Sequence, residues 1–173
     1  MRAIQDYYVA QDAIVTGDII LSAGVNIWFG SILRGDLARI TLGPRVNLQD
    51  GCIVHTDYDK PQMIEEGVVV GHRAVLHGRI IGHDTLVGMG ALLLSDCEIG
   101  AECLIAAGTL ITEKRRIPPR SVVMGVPGRV VREVSDDDLR RTHAIAAHYL
   151  ELAQRYVHGA FPAPWERSSE PRP

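Results

Sequence analysis

Large rings are scarce in this sequence. Two tryptophans, five tyrosines and two phenylalanines make only 5% aromatic residues in a chain that is 46% hydrophobic. An interior filled by small and β-branched side chains is narrow and built in thin layers. Strong charge of one sign is also missing. A formal net charge of −3, with no lysine–arginine cluster, gives no electrostatic basis for a nucleic-acid partner. No apolar run approaches a membrane span, and Met1–Asp6 shows no apolar core of signal-peptide type. No membrane partner is expected, and the cytoplasm is the expected location.

The 173 residues suffice for one domain with a real core, and 17 of them are glycine. From Val15 onward an apolar anchor recurs every six residues: Val15, Leu21, Ile27 and Leu33, then Leu42, Leu48 and Val54, then Ile64, Val70 and Leu76. An unbroken run follows through Ile81, Val87, Leu93, Ile99, Ile105, Ile111, Ile117 and Val123. A period of six is neither the 3.6 of an amphipathic helix nor the 2.0 of a simple strand. It predicts short strands joined by tight corners, three to a coil: an all-β solenoid whose coils stack about 4.8 Å apart. Glycine follows the anchor at Gly43, Gly71, Gly82, Gly88 and Gly100, where corners are expected to need unusual backbone angles. Cys52, Cys97 and Cys103 each fall four residues after an anchor and form no CxxC pair, so they read as small core side chains.

Three breaks in the period mark a working face. Nine residues separate Leu33 from Leu42, ten separate Val54 from Ile64, and five separate Leu76 from Ile81. The breaks predict a small bulge within Gly35–Thr41, a larger loop within Thr56–Glu65, and a shortening at His77–Ile80. The solenoid domain is expected over residues 1–134, with residues 1–14 a plain entry segment. Ser135 and three aspartates then open a helix over 135–158. Its apolar side, Leu139, Ile145, Ala146, Tyr149, Leu150, Leu152, Ala153 and Tyr156, should pack on the solenoid. Residues 159–173 are expected to be a flexible tail.

The repeat also places side chains. Leu33, Val54 and Leu76 are equivalent anchors, so Arg34, His55 and His77, each one residue later, should form one outward column. Asp50 and His72, two residues after Leu48 and Val70, should form a second column around the corner. Imidazoles one coil apart can share a metal at about 2.0–2.1 Å from each nitrogen. A catalytic zinc site needs a third protein ligand and an open position, and His72 can supply that ligand only from an adjacent subunit. A homotrimer of parallel solenoids, with metal shared between subunits, closes that geometry.

The segments Asn26-Ile-Trp-Phe-Gly-Ser-Ile-Leu-Arg-Gly-Asp36, Asn47-Leu-Gln-Asp-Gly51, Gly71-His-Arg-Ala-Val-Leu-His-Gly78, Val87-Gly-Met-Gly90 and Gly125-Val-Pro-Gly128 resemble motifs of the γ-class carbonic anhydrase family. The resemblance spans roughly residues 10–157. It implies a left-handed parallel β-helix of hexapeptide repeats, an exception to the right-handed crossover rule. It further implies a trimer that binds Zn2+, with Fe2+ or Co2+ as alternatives, through His55 and His77 of one subunit and His72 of the next. The implied reaction is reversible hydration of CO2 to bicarbonate by metal-bound hydroxide. By the same resemblance Arg34 and Asp36 are ion-pairing residues at the subunit interface, with Asp50 their partner or with all three serving assembly alone. Gln49 resembles a residue near the metal-bound solvent, and Tyr149 or Tyr156 matches an active-site tyrosine.

The chain departs from the family at the proton-relay step. Leu37 stands where an active type carries glutamate, leaving Asp57, Asp59, Glu65 or Glu66 as substitutes. Other readings are a metal-assisted thioesterase acting on another small substrate, an acyl-CoA-dependent hexapeptide acyltransferase with histidine as general base, or a non-catalytic trimeric scaffold. His83 reads as solvated, and His143, His148 and His158 receive no role.

Overall fold

The computed structural model describes residues 1–163. The chain winds as a parallel β-solenoid with three faces and one helix. The first face stacks Tyr7–Val9, Asn26–Ile27, Asn47–Leu48, Val69–Val70, Leu86–Val87, Leu104–Ile105 and Ser121–Gly125 in order. The long strand Ile32–Leu42 begins on the second face, turns the corner and ends on the third. Ile53–His55, Val75–Leu76, Leu92–Leu93 and Leu110–Ile111 continue the second face; Gln62–Ile64, Ile80–Ile81, Glu98–Ile99 and Arg116–Ile117 continue the third.

Every anchor from Ile27 to Val123 is buried. At the open first coil Val15 is 37% exposed, because no earlier coil covers it. A second inward position, four residues after the anchor in the regular coils, takes small side chains: Val46, Cys52, Ala74, Thr85, Ala91, Cys97, Cys103 and Thr109 are all buried. The cysteines are therefore core residues. Burial pushes the Cys52 and Cys97 thiols up to about 12, and the Cys103 thiol up as well.

The glycines after the anchors do a different job from the one expected. At Gly71 an added Cβ would sit 2.7 Å from the Met89 nitrogen, and at Gly43 2.8 Å from the Glu66 nitrogen. Close approach of the next coil requires them, not their dihedral freedom. The left-handed backbone lies three residues after the anchor, at glycines such as Gly51 and Gly90 but also at Arg45, Arg73, Asp84, Asp96, Glu102, Lys114 and Arg120. The six-residue step from corner to corner forces that geometry on whatever residue stands there.

The three breaks lie together. Ile14–Leu21 pairs with Ile32–Leu42, Gly17 opposite Gly35 and Ile19 opposite Ile40, so Asp36–Arg39 bulges opposite Asp18. The loop after His55 leans on that bulge, with Thr56 Oγ1 donating to the Ala38 carbonyl (3.3 Å). The shortened turn is reached by Gln62, whose Nε2 donates to the Gly78 carbonyl at 2.6 Å.

Both ends close with antiparallel hairpins that the periodicity did not announce: Arg2–Ile4 with Tyr7–Val9, and Ser121–Gly125 with Gly128–Glu133. Val9, six residues before Val15, already pairs with Ile27 and so belongs to the repeat. The helix Asp136–Val157 is capped by Ser135 in a reciprocal box with Asp138. It returns along the first face, against Arg2–Ile4, Asn26–Ile27, Asn47–Leu48 and Val69–Val70. All eight residues expected on its apolar side are buried or half-buried. The expected tail starts in contact with the helix: Phe161 packs on Tyr156, ring centroids 4.6 Å apart. The rest of it, residues 164–173, lies outside the described residues.

Candidate metal centre

Strand register sets the first column as the repeat requires. Leu33 pairs with Val54 and Val54 with Leu76, so Arg34, His55 and His77 follow one another on successive coils. His55 Nδ1 and His77 Nε2 face each other at 3.2 Å. Their other nitrogens are engaged. His55 Nε2 lies 3.0 Å from Asp36 Oδ1, and His77 Nδ1 lies 3.1 Å from Ser95 Oγ and 3.7 Å from Asp57 Oδ2. Asp36 also receives Arg34 Nη1. Burial pushes the Asp36 carboxyl up, but the hydrogen bonds from Arg34, His55 and the backbone outweigh it and hold it below the usual carboxylate range.

The second column lies around the corner. Leu48 pairs with Val70, which places Asp50 over His72, and His72 Nδ1 is 2.8 Å from Asp50 Oδ2. On the opposite ring nitrogen, His72 Nε2 is 3.2 Å from Tyr149 Oη. Burial raises the Tyr149 hydroxyl, and the charge of Asp50 adds to the effect. Helix packing thus selects Tyr149 over Tyr156. Tyr156 instead sets its ring edge-on against Trp28 and Phe29.

Beneath the helix a buried amide ladder fixes Gln49. Gln49 Nε2 donates to Asn47 Oδ1 (3.2 Å), Asn47 Nδ2 to Asn26 Oδ1 (2.6 Å), and Trp28 Nε1 to the same oxygen (2.9 Å). Gln49, His72 and Tyr149 line a mainly apolar cleft of about 320 Å³ with Val87, Met89 and Ile145. Asn26, Trp28 and Asn47 lie within the motif segments of the sequence but carry no individual role there. Their signal was present, polar residues directly beside anchors on one face.

The structure brings His55 and His77 together and leaves His72 apart from them. Among the described residues, no three His, Cys, Asp or Glu side chains of one chain form a metal-binding group. Within one chain Asp50 pairs with His72. Of the acidic substitutes for the relay, Glu65 binds the His83 backbone and Glu66 pairs with Arg45, whereas Asp57 stands beside His77. His83 is exposed as expected, and its Nδ1 lies 3.0 Å from Asp84 Oδ2, a bond that raises its pKa. His143 reaches the other oxygen of Asp84 at 3.2 Å.

Two histidines facing each other at 3.2 Å suit a metal's donor set. Two ligands at about 2.0–2.1 Å from one tetrahedral ion stand about 3.3 Å apart. His55 and His77 each have their other nitrogen held by a carboxylate or hydroxyl, and His72 has Nδ1 held by Asp50 with Nε2 beside the Tyr149 hydroxyl; a carboxylate or hydroxyl behind the ring is the arrangement that orients metal-binding imidazoles.

Fold and repeat define the class. Residues 80–113 match the model of the bacterial transferase hexapeptide family (six repeats). A hexapeptide transferase family protein from Anaplasma phagocytophilum superimposes with TM-score 0.83 at 28% identity, covering 88% of this chain and 90% of its own. A carbonic anhydrase of Geobacillus kaustophilus is 40% identical over 149 residues, which cover 86% of this chain and 82% of that one. The carnitine operon protein CaiE of Escherichia coli K12 is 38% identical over 148 residues, covering 86% and 76%. The chain is a hexapeptide-repeat β-solenoid protein. Within that class it belongs to the γ-class carbonic anhydrase family.

Proposed function

We propose that this protein is a metal-dependent carbonic anhydrase that works at the interfaces of a homotrimer. Zinc is the proposed metal, held by His55 and His77 of one copy and His72 of the next. The observation that carries this reading is the pair of facing nitrogens of His55 and His77 on adjacent coils. When bound, a divalent metal supplies the Lewis acidity that lets water give up a proton near neutral pH.

The chain's own groups do the rest. Asp36 orients His55, Ser95 orients His77, and Asp50 orients His72. Tyr149 and Gln49 supply polar groups at the edge of an otherwise apolar cleft suited to an uncharged gas molecule. The proposed proton relay between this site and solvent is Asp57, a reading supported by its position 3.7 Å from His77.

One observation favours a second reading. The cleft of about 320 Å³ is far larger than carbon dioxide requires, and its apolar wall would accept a longer acyl group. Metal-assisted hydrolysis of a thioester uses the same activated water on a carbonyl carbon.

The test is native mass spectrometry of the untreated protein joined to a CO2-hydration assay. A trimer carrying three metal ions, with hydration lost in a His55→Ala variant that remains trimeric, supports the proposal. A trimer that takes up no metal even with added zinc would overturn it in favour of an acyltransferase or a scaffold. Bound metal with thioester cleavage and no hydration would favour the second reading.

A further inference from the structure

The loop that follows His55 does not stay at its own level of the solenoid. Asp57 approaches His77 on the next coil (3.7 Å). Lys60 continues one coil further, where its Nζ lies 2.6 Å from Asp96 Oδ2. The register Val54–Leu76–Leu93 identifies these as three successive coils. The loop therefore runs along the column that carries His55 and His77 and is tied off beyond them before Gln62–Ile64 re-enters the third face.

The corner at Ser95–Asp96 serves both partners, since Ser95 holds His77 while Asp96 holds Lys60. On the opposite side the loop is fixed to the bulge that carries Asp36, through Thr56 Oγ1 to the Ala38 carbonyl (3.3 Å) and the Asp59 amide to the Leu37 carbonyl (3.4 Å). Tyr58 at the tip is 74% exposed and anchors nothing. Among the described residues, Lys60 is the one side chain of the segment 58–61 with an ion-pair partner. Asp96 is well shielded and faces Arg79 and Lys114 as well as Lys60. The hydrogen bond from Lys60 is the main cause of its carboxyl lying below the usual range.

The geometry points to Lys60 as a positioning residue: its ion pair with Asp96 straps the 56–61 loop along the His55–His77 column and slows departure of a metal held there. The second half of this inference rests on the metal reading above; the first half does not.

Two measurements on the full chain test it, hydrogen exchange of peptides covering residues 56–63 and transfer of bound zinc to a chelator. Each is made on wild type, Lys60→Met, Lys60→Arg, Asp96→Asn and the double variant. Solvent weakens pairs of this type, so Lys60→Met and Asp96→Asn should speed loop exchange and zinc transfer by about two- to fivefold. Lys60→Arg should stay near wild type, and Lys60→Met with Asp96→Asn should be no faster than either alone. Unchanged loop exchange in Lys60→Met would overturn the strap. Faster exchange without faster zinc transfer would overturn its effect on the metal. If no chain retains zinc, the metal reading fails, and loop exchange alone decides whether Lys60 holds the strap.

Discussion

Asp50 holds His72 from one coil away: the carboxylate lies 2.8 Å from Nδ1, and both residues occupy the same corner column. That bond leaves Nε2 of His72 directed at Tyr149, away from its own chain's His55 and His77. On the proposed reading, that nitrogen is the one His72 would offer to a metal shared with a neighbouring copy. Asp50→Asn should keep the trimer and weaken zinc binding about 10–100-fold, the usual effect of losing the carboxylate behind a metal-binding histidine. Competition with a zinc chelator measures it.

Mixing tests whether the site is shared. His55→Ala and His72→Ala chains should each lack activity, since each removes one ligand of every site. In mixed trimers, an interface joining His55 and His77 of a His72→Ala chain to His72 of a His55→Ala chain is complete. Co-refolding the two variants should therefore restore part of the CO2 hydration. No recovery, in trimers shown by mass to be mixed, would mean the three histidines do not meet across an interface.

Gly71 tests the packing of adjacent coils. A Cβ there would meet the backbone of Met89, which cannot move aside without shifting the next coil. Gly71→Ala should cost about 1–3 kcal/mol, the range for overpacking, and lower the thermal midpoint. Because it adjoins His72, metal affinity should fall with stability.

The helix cap predicts a pH effect. Asp138 is held well below the ordinary carboxylate value of 3.8, first by Arg132 and then by the amide and hydroxyl of Ser135. A carboxyl lowered in the folded state contributes fully above its unfolded value and loses that contribution as pH falls below it. Stability of the wild type should therefore drop more steeply below about pH 4 than that of Asp138→Asn. Ser135→Ala should cost about 1 kcal/mol at neutral pH. Urea titrations at several pH values measure both.

The thiols should be inert in the folded protein. With burial holding Cys52 and Cys97 up to about 12, almost no thiolate is present at pH 8. Iodoacetamide should leave the native chain unmodified at these two residues and alkylate both after denaturation. Mass spectrometry reads the difference directly.

The repeat was legible because a solenoid converts sequence distance into position. Once Leu33, Val54 and Leu76 are recognised as equivalent, the stacking of Arg34, His55 and His77 follows by counting. The terminal hairpins were less legible, since the outer strand of each, Arg2–Ile4 and Gly128–Glu133, pairs antiparallel and leaves the period of six. The glycines after the anchors were visible, but not their reason, because close approach depends on the coil above rather than on local dihedral preference.

The sequence by itself determined the period, the inward positions, the three irregular places and the division of the histidines between two columns. Backbone pairing between successive coils makes each of these a consequence of local spacing. Tertiary structure decided what spacing leaves open: that Tyr149 rather than Tyr156 meets His72, that Asp57 rather than Glu65 or Glu66 stands beside His77, and that Lys60 reaches Asp96. Those partners lie on a returning helix and an inserted loop, segments whose paths no repeat constrains. Packing against distant parts of the chain places them.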